Sequence, residues 1–298
     1  MYFKKGVNIV VKKEIAFIGT GVMGSSIVKH LLNGNYNVTV YTRTMEKAKS
    51  LIDLGAKWAA TPAEAAENKD VIFTMVGFPS DVEEVYCGEY GIFKTAKEGS
   101  IVIDMTTSEP SLAKKLYKLA KEKGIQSIDA PVSGGDVGAK NGTLSIMVGG
   151  DEAAFESVKS ILEVFGSNIV YQGEAGAGQH TKACNQIVIA TNMIGVCESI
   201  SYGIKAGLDI EKVFQSISTG AAGSWSLSNL GPRMVKGDLE PGFYIKHFIK
   251  DMKIAIDESE QMNLDLPGLK LSKQLYNTLL ENGYGEKGTQ ALIKYYEL

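Results

Sequence analysis

Cysteine is scarce. Cys87, Cys184 and Cys197 are the chain's three, far apart or in helix-like surroundings, which excludes a disulfide framework and leaves no pair at metal-ligand spacing. A reducing, cytoplasmic setting is expected. Histidine is equally sparse, and His30 and His247 lack the partner pattern of ligands, so no metal is expected. An excess of positive charge is missing too: 31 Lys and Arg against 34 Asp and Glu leave a net charge of −3, mixed along the length. Such a surface offers no basic face for nucleic acid and no polybasic run for a membrane. Small molecules are the expected partners. Long hydrophobic runs are also absent. Met1 to Lys13 carries lysines around the short apolar run Val7 to Val11 and reads as an extension, while Ile187 to Cys197 is interrupted by Asn192 and reads as a helix core. No membrane span is expected.

What is present is an ordinary globular composition, 44% hydrophobic over 298 residues with seven prolines, enough for two modest domains. Short apolar runs alternate with helical periodicity: strands at Ile15 to Ile18, Val38 to Tyr41, Val71 to Met75, Ile101 to Asp104, Ser127 to Ala130 and Thr143 to Val148, with helices between them. Pro110 opens one of those helices, and Asp151 is placed to cap another. From Thr181 to Ala206 the pattern becomes purely helical, as do Ile210 to Ile217, Lys246 to Met262 and the stretch from Leu269. The expected fold is α/β: a Rossmann-type doubly wound sheet over residues 1–175, then an all-helical domain for substrate and oligomerisation over 176–298. Gly173 to Gly178 marks the boundary, and the cleft there is the natural substrate site.

The first strand runs into Gly19-Thr20-Gly21-Val22-Met23-Gly24. Gly19 permits a tight turn, Gly21 leaves no Cβ between chain and pyrophosphate, and Gly24 lets the next helix lie close, its N-terminus facing the anion. This is a dinucleotide site. The cofactor is selected at the end of the second strand, where an acid would read the ribose hydroxyls of NAD. Here the chain reads Tyr41-Thr42-Arg43-Thr44. Arg43 can meet a 2′-phosphate bidentately, so NADP(H) is preferred and NAD(H) kept as the alternative, although an arginine at such a turn is equally at home in solvent.

Three further segments carry candidate chemistry. Lys182, Asn185 and Gln186 fall at i, i+3 and i+4, on one face of the long helix's first turns, where ammonium and amide can point into the cleft. A surface lysine would also fit that position. His180 and Cys184 lie off this face and read as packing residues. Ser133-Gly134-Gly135 ends a strand in a hydroxyl and two backbone amides, able to grip a carboxylate or to serve as a plain flexible loop. Lys250-Asp251, inside a helical stretch, reads by itself as a solvated face.

In this order and spacing, from Ile15 to the C-terminus, these motifs resemble the β-hydroxyacid dehydrogenase family, which includes 3-hydroxyisobutyrate dehydrogenase, tartronate semialdehyde reductase and the glyoxylate/succinic semialdehyde reductases. The resemblance implies an enzyme with Lys182 as the catalytic lysine at the carbonyl oxygen and Asn185 helping to hold substrate. It assigns Ser133, Gly134 and Gly135 to the substrate carboxylate, and Thr107 and Lys250 to the cofactor; Thr44, a hydroxyl flanking Arg43, and Val76 are further candidates on the cofactor side. A homodimer or homotetramer acting on a small carboxylate is implied as well. One departure stands at Met75-Val76-Gly77-Phe78-Pro79, where many relatives place a proline directly after the first pair; the loop on the adenosine side is expected to differ. The related 6-phosphogluconate dehydrogenase is the competing enzyme, but its lysine motif carries a His-Asn pair and a further glutamate that Lys182-Ala-Cys-Asn185-Gln186 lacks. A non-enzymatic dinucleotide-binding module is the alternative from another class, and the presence of Lys182 argues against it. Substrate discrimination is expected from the helical domain, around Ala221 to Trp225 and Phe243.

Overall fold

The structure is a computed structural model describing residues 13–297, so the extension expected at the N-terminus lies outside the described residues except for Lys13. Nine strands form one sheet: β1 (Ile15–Ile18), β2 (Val38–Tyr41), β3 (Lys57–Trp58), β4 (Val71–Thr74), β5 (Ile101–Asp104), β6 (Gln126–Asp129), β7 (Val132–Ser133), β8 (Leu144–Gly150) and β9 (Gly166–Gly173). Their order is β3-β2-β1-β4-β5-β6-β8-β7, with β9 on β8. The first six are parallel; β8 then runs antiparallel to both β6 and β7. Ile15 of β1 pairs with Val38 on one side and Val71 on the other, so the chain's order reverses between β1 and β4. That reversal opens a crevice beyond the strands' carboxyl ends, the place where open α/β sheets bind nucleotides.

β1, β4 and β5 are buried throughout, as near-continuous apolar runs covered on both faces must be. The helices α1 (Val22–Asn33), α2 (Lys49–Ile52), α3 (Pro62–Ala66), α4 (Pro79–Cys87), α5 (Pro110–Glu122), α6 (Gly135–Asn141) and α7 (Glu152–Leu162) flank them. One face buries Phe17, stacked on Phe73 at 5.8 Å, with Phe165 edge-on to Phe73 at 6.0 Å; the other buries Tyr86 against Phe93. The second half is helical: α8 (Ala177–Lys205), α9 (Ile210–Ile217), α10 (Gly231–Val235), α11 (Ile245–Gln261) and α12 (Pro267–Glu281), with a closing 3-10 segment Thr289–Tyr296. Its own core gathers around Phe248 and Tyr276, whose rings meet edge to face at 5.1 Å.

Some elements depart from the sequence reading. The helix expected after the second strand opens as a 3-10 turn, Met45–Ala48, before a single turn of α2. Asp151 stands at the N-cap of α7 but its side chain caps nothing there, because the Tyr117 hydroxyl donates to it at 2.8 Å. β3, β7, β9 and α6 carry too little periodicity to read in advance. Among the described residues, α8 is long and apolar enough by length and composition to cross a membrane. Within the fold it packs on α11, α12 and β8 and carries buried Gln179, Lys182 and Gln186.

Candidate active site

The glycine turn is built as a close-approach device. Gly19 has φ of +101°, and a Cβ there would stand 2.1 Å from the Met75 carbonyl oxygen; one on Gly24 would stand 2.0 Å from the Gly19 oxygen. No other residue fits either place. Gly21, the N-cap of α1, has open space where its Cβ would be, and no side chain caps it. The first amides of α1 therefore face outward unpaired, the arrangement that receives a pyrophosphate. Thr20 adds a buried hydroxyl with no hydrogen-bond partner among the described residues, while Val22 is exposed and Met23 half-buried beside it. These residues fit a dinucleotide.

Two loops at neighbouring strand ends complete this edge. After β4, the Val76 amide donates to Thr106 Oγ1 at 3.0 Å, and Phe78 reaches the His247 ring of α11 at 5.4 Å. Burial, then Lys250 and Lys246, hold the His247 imidazole below its usual pKa. The Asp81 carboxylate accepts from the Phe78 amide and lies 4.0 Å from Arg43, whose side chain is 85% exposed on the turn after β2, next to exposed Thr44. After β5, Thr107 is gripped from two sides. Lys250 Nζ donates to its carbonyl at 2.6 Å, and Gln179 accepts from the Ser108 amide at 2.9 Å while donating to the Thr106 carbonyl at 2.7 Å. Buried Gln179 and largely covered Lys250 thus tie the sheet to the helical domain. The reading of Lys250 as a solvated face does not survive this.

α8 is pressed into the joint. A Cβ on Gly178 would meet the Met147 oxygen at 2.4 Å, and Asp129, at the end of β6, accepts from the Gly176 and Gln179 amides at 2.7 and 2.9 Å. An acid below a helix N-terminus complements the dipole, and this one fixes where the first turns point. One turn on from Gly178 is Lys182, 7% exposed. Burial drives its pKa down to about 8; Asp251 opposes the fall and Lys250 adds to it. Asn185 and Gln186 follow on the same face. Ser133 Oγ donates to Asn185 Oδ1 at 3.3 Å, Asn185 Nδ2 to Gln186 Oε1 at 2.7 Å, and Gln186 Nε2 to Asp251 Oδ2 at 2.6 Å. Asp251 Oδ1 faces Lys250 Nζ at 3.0 Å as a charge pair without hydrogen-bond alignment.

The structure thus joins Ser133, Asn185, Gln186, Asp251, Lys250 and Thr107 through one polar chain, and Lys182 shares the helix face of Asn185 and Gln186 and feels the charges of Asp251 and Lys250. Gly134 and Gly135 lie at its open end, on the first turn of a short helix where a loop was expected, their amides preceded by no helical carbonyl. Cys184 is exposed and does not pack. Trp225 is 65% exposed, whereas Phe243 packs on Phe248 at 5.5 Å beside Gly242, whose carbonyl nears Gly135. Gln179 and Asp129 escaped the sequence reading, because a buried amide on a helix or an acid at a strand end has no local signature, and so did Asp81, a half-buried acid in the first turn of α4. No cluster of three His, Cys, Asp or Glu suited to a metal occurs among the described residues.

Residues 14–173 match the NAD-binding domain of 6-phosphogluconate dehydrogenase, and residues 176–296 match the NAD-binding domain of NADP-dependent 3-hydroxyisobutyrate dehydrogenase. The chain belongs to the β-hydroxyacid dehydrogenase family. It is 59% identical to an uncharacterized oxidoreductase, YkwC, of Bacillus subtilis over 95% of this chain and 98% of that one. It is 39% identical to 2-hydroxy-3-oxopropionate reductase of Escherichia coli, over 96% and 97%. Among solved structures, Mycobacterium tuberculosis 3-hydroxyisobutyrate dehydrogenase with L-serine superimposes with a TM-score of 0.89 at 27% identity, over 97% of this chain and all of that one. The protein is an oxidoreductase of the NAD(P)-dependent hydroxyacid dehydrogenase type with a nicotinamide cofactor.

The double tie of Gln179 carries a measurable consequence. Gln179→Leu leaves a buried amide and a buried carbonyl unpaired, at roughly 1–3 kcal/mol each, so a loss of about 2–6 kcal/mol in urea unfolding is expected. A loss under about 0.5 kcal/mol would mean that water or a shifted loop satisfies both groups.

Proposed function

We propose that the enzyme interconverts a small 3-hydroxy acid and its semialdehyde with NADP(H), 3-hydroxyisobutyrate-type acids or short aldehyde acids such as succinic semialdehyde and glyoxylate being the substrates, with tartronate semialdehyde as the alternative. The observation that carries this is the buried Lys182, desolvated at the joint between the nucleotide crevice and the helical domain. When bound, the nicotinamide supplies or accepts the hydride. Lys182 handles the proton: as ammonium it donates to the carbonyl oxygen during reduction, and as amine it takes the hydroxyl proton during oxidation. Gly134 and Gly135 offer amides to the substrate carboxylate, and Asn185 and Ser133 stand opposite each other at the same opening. The turn Gly19 to Gly24, Val76, Thr107 and Lys250 would hold the cofactor, with Arg43 and Thr44 at the 2′-phosphate. The NADP-dependent family description and the absence of an acid at residues 42–44 support that preference. A cytoplasmic homodimer or homotetramer completes the reading, supported by the exposed Val188, Tyr202 and Ile204 on α8. Sedimentation checks the assembly.

The test is a panel of glyoxylate, succinic semialdehyde, tartronate semialdehyde and methylmalonate semialdehyde with both cofactors, reading kcat/KM for each. Turnover of none of them, with cofactor still bound, would return the chain to a binding module.

The Lys182 value also sets a pH dependence. For the free enzyme, kcat/KM of reduction should fall as pH rises through about 8, where the donor is lost, while kcat/KM of oxidation should rise through it, where the acceptor appears. For stability, the folded pKa lies below the ordinary lysine value, so the unfolded chain holds the proton more tightly between the two. The penalty of burying the charge is full below about 8 and fades as pH climbs above it. Matching inflections of opposite sign in the two directions check the assignment; flat profiles from pH ~7 to ~9 would remove Lys182 from the proton step.

A further inference from the structure

The loops after β4 and β5 border the nucleotide crevice, and α11 reaches both. Lys250 holds the second through the Thr107 carbonyl. His247, three residues earlier and so on the same helix face, lies against the first. Its ring meets Phe78 at 5.4 Å, and Cε1 is the ring atom nearest Gly77, 3.8 Å from where a Cβ would stand. That carbon is bonded to both ring nitrogens, so the polar edge of the imidazole is the part beside Gly77. β4 lies between β1 and β5 in the sheet, which puts this loop between the glycine turn and Thr107. The other charged groups around the ring are committed. Lys246 pairs with Glu286 at 2.5 Å and Lys250 with Asp251 at 3.0 Å, while Asp81, also beside Gly77, accepts from the Phe78 amide at 3.0 Å. Tyr244 stands edge-on to the imidazole at 5.9 Å. Neither ring nitrogen has a hydrogen-bond partner among the described residues. The half-buried ring is held below its usual pKa by burial, then by Lys250 and Lys246, with Asp251 and Glu286 opposing. An uncharged imidazole with unused nitrogens beside two lysines gains most from an anionic ligand, which accepts its N–H and favours its protonated form.

We propose that His247 is a cofactor-binding residue that donates to the diphosphate of the dinucleotide and takes up a proton as it does so. This rests on the dinucleotide site and on neither the substrate nor the 2′-phosphate, because NADP and NAD share the diphosphate. In the free protein the imidazole titrates below the ordinary histidine value of about 6.5, and beside a bound diphosphate it titrates higher. Between the two values binding draws in a proton. Dinucleotide affinity therefore rises as pH falls through the bound value and levels off below the free one.

Calorimetric binding to the full-length protein tests this without turnover. The probes are NADP+, NAD+ and adenosine 2′-phosphate, which lacks the diphosphate, each in two buffers of different ionisation heat at pH ~6.5. Lys182, titrating at about 8, stays protonated there. The 2′-phosphate itself titrates near pH ~6, so NAD+ gives the cleaner proton count. The parent should take up part of a proton with NAD+. His247→Phe keeps a ring against Phe78 and removes the nitrogens. Its affinity for both dinucleotides should fall about tenfold or more, the scale of a charge-assisted hydrogen bond, with that for adenosine 2′-phosphate changed less than about twofold and the uptake with NAD+ abolished. His247→Gln, which restores a donor but cannot titrate, should recover part of the affinity and none of the uptake, a separation that a purely structural ring would not give. Dinucleotide affinity within about twofold of the parent in His247→Phe, or unaltered uptake in either variant, would overturn the proposal and leave the ring a packing contact. Equal losses on all three probes would overturn it too, marking a displaced loop. Failure of the parent to bind either dinucleotide would instead sink the cofactor reading on which the proposal rests.

Discussion

Lys182→Met is expected to lower kcat by about 10²-fold or more in both directions, the scale of losing a positioned acid or base, while cofactor affinity changes less than about twofold. Methionine fills nearly the same space without a charge, so the loss isolates the proton function from packing. The variant should also be at least as heat-stable as the parent at neutral pH. Lys182 is 7% exposed and its pKa is driven down to about 8 chiefly by burial, so the parent carries an ammonium that costs free energy to bury. Asp251 offsets part of that cost but is already committed to Lys250 and Gln186. Activity lost together with raised stability is the mark of a strained functional group. Turnover within a few-fold of the parent would place the proton donor elsewhere, and a sharp drop in melting temperature would show that Lys182 is structural.

Much of this arrangement was legible in the residues, and the limits have physical causes. The turn from Gly19 to Gly24 reads locally because each glycine is demanded by an atom a few residues away in space, such as the Met75 carbonyl against Gly19. Strands β1, β2, β4 and β5 read as apolar runs because both faces are covered. Lys182 needed the family pattern: as a lone lysine near a helix start it reads as solvated, yet it is buried in the fold, near Asp251 and Lys250 of α11. Lys250 is a similar case, its exposure decided by the Thr107 carbonyl 143 residues earlier in the chain. Gln179 left no trace, since its two partners on the β5 loop are backbone groups, which no residue pattern reveals. Cys184 went the other way, its helix face being open where packing was expected. Positions determined by local geometry were visible; those determined by what the second domain brings were not.

Arg43→Asp is expected to cut the preference for NADPH over NADH by about one to two decades. Charge-assisted bonds from a guanidinium to a 2′-phosphate contribute roughly 1.5–3 kcal/mol, and each 1.4 kcal/mol is a factor of about ten. Among the described residues nothing competes strongly for the arginine. Its nearest acid, Asp81, is 4.0 Å away, and the side chain is 85% exposed, where an ion pair is worth little. Asp81 is held instead by the Phe78 amide at 3.0 Å, so it stays in place when the arginine turns to a ligand. The aspartate variant then sets two carboxylates near the phosphate position, adding repulsion to the lost cation. NADH use should change little, because its ribose carries no charge there and the new acid can accept from the hydroxyls. Steady-state kcat/KM with both cofactors, for parent and variant, decides it at moderate ionic strength, where screening does not hide the effect. A parent that prefers NADH, or a variant whose NADPH to NADH ratio does not fall, would make Arg43 a solvated turn residue and move the choice of cofactor to another part of the crevice.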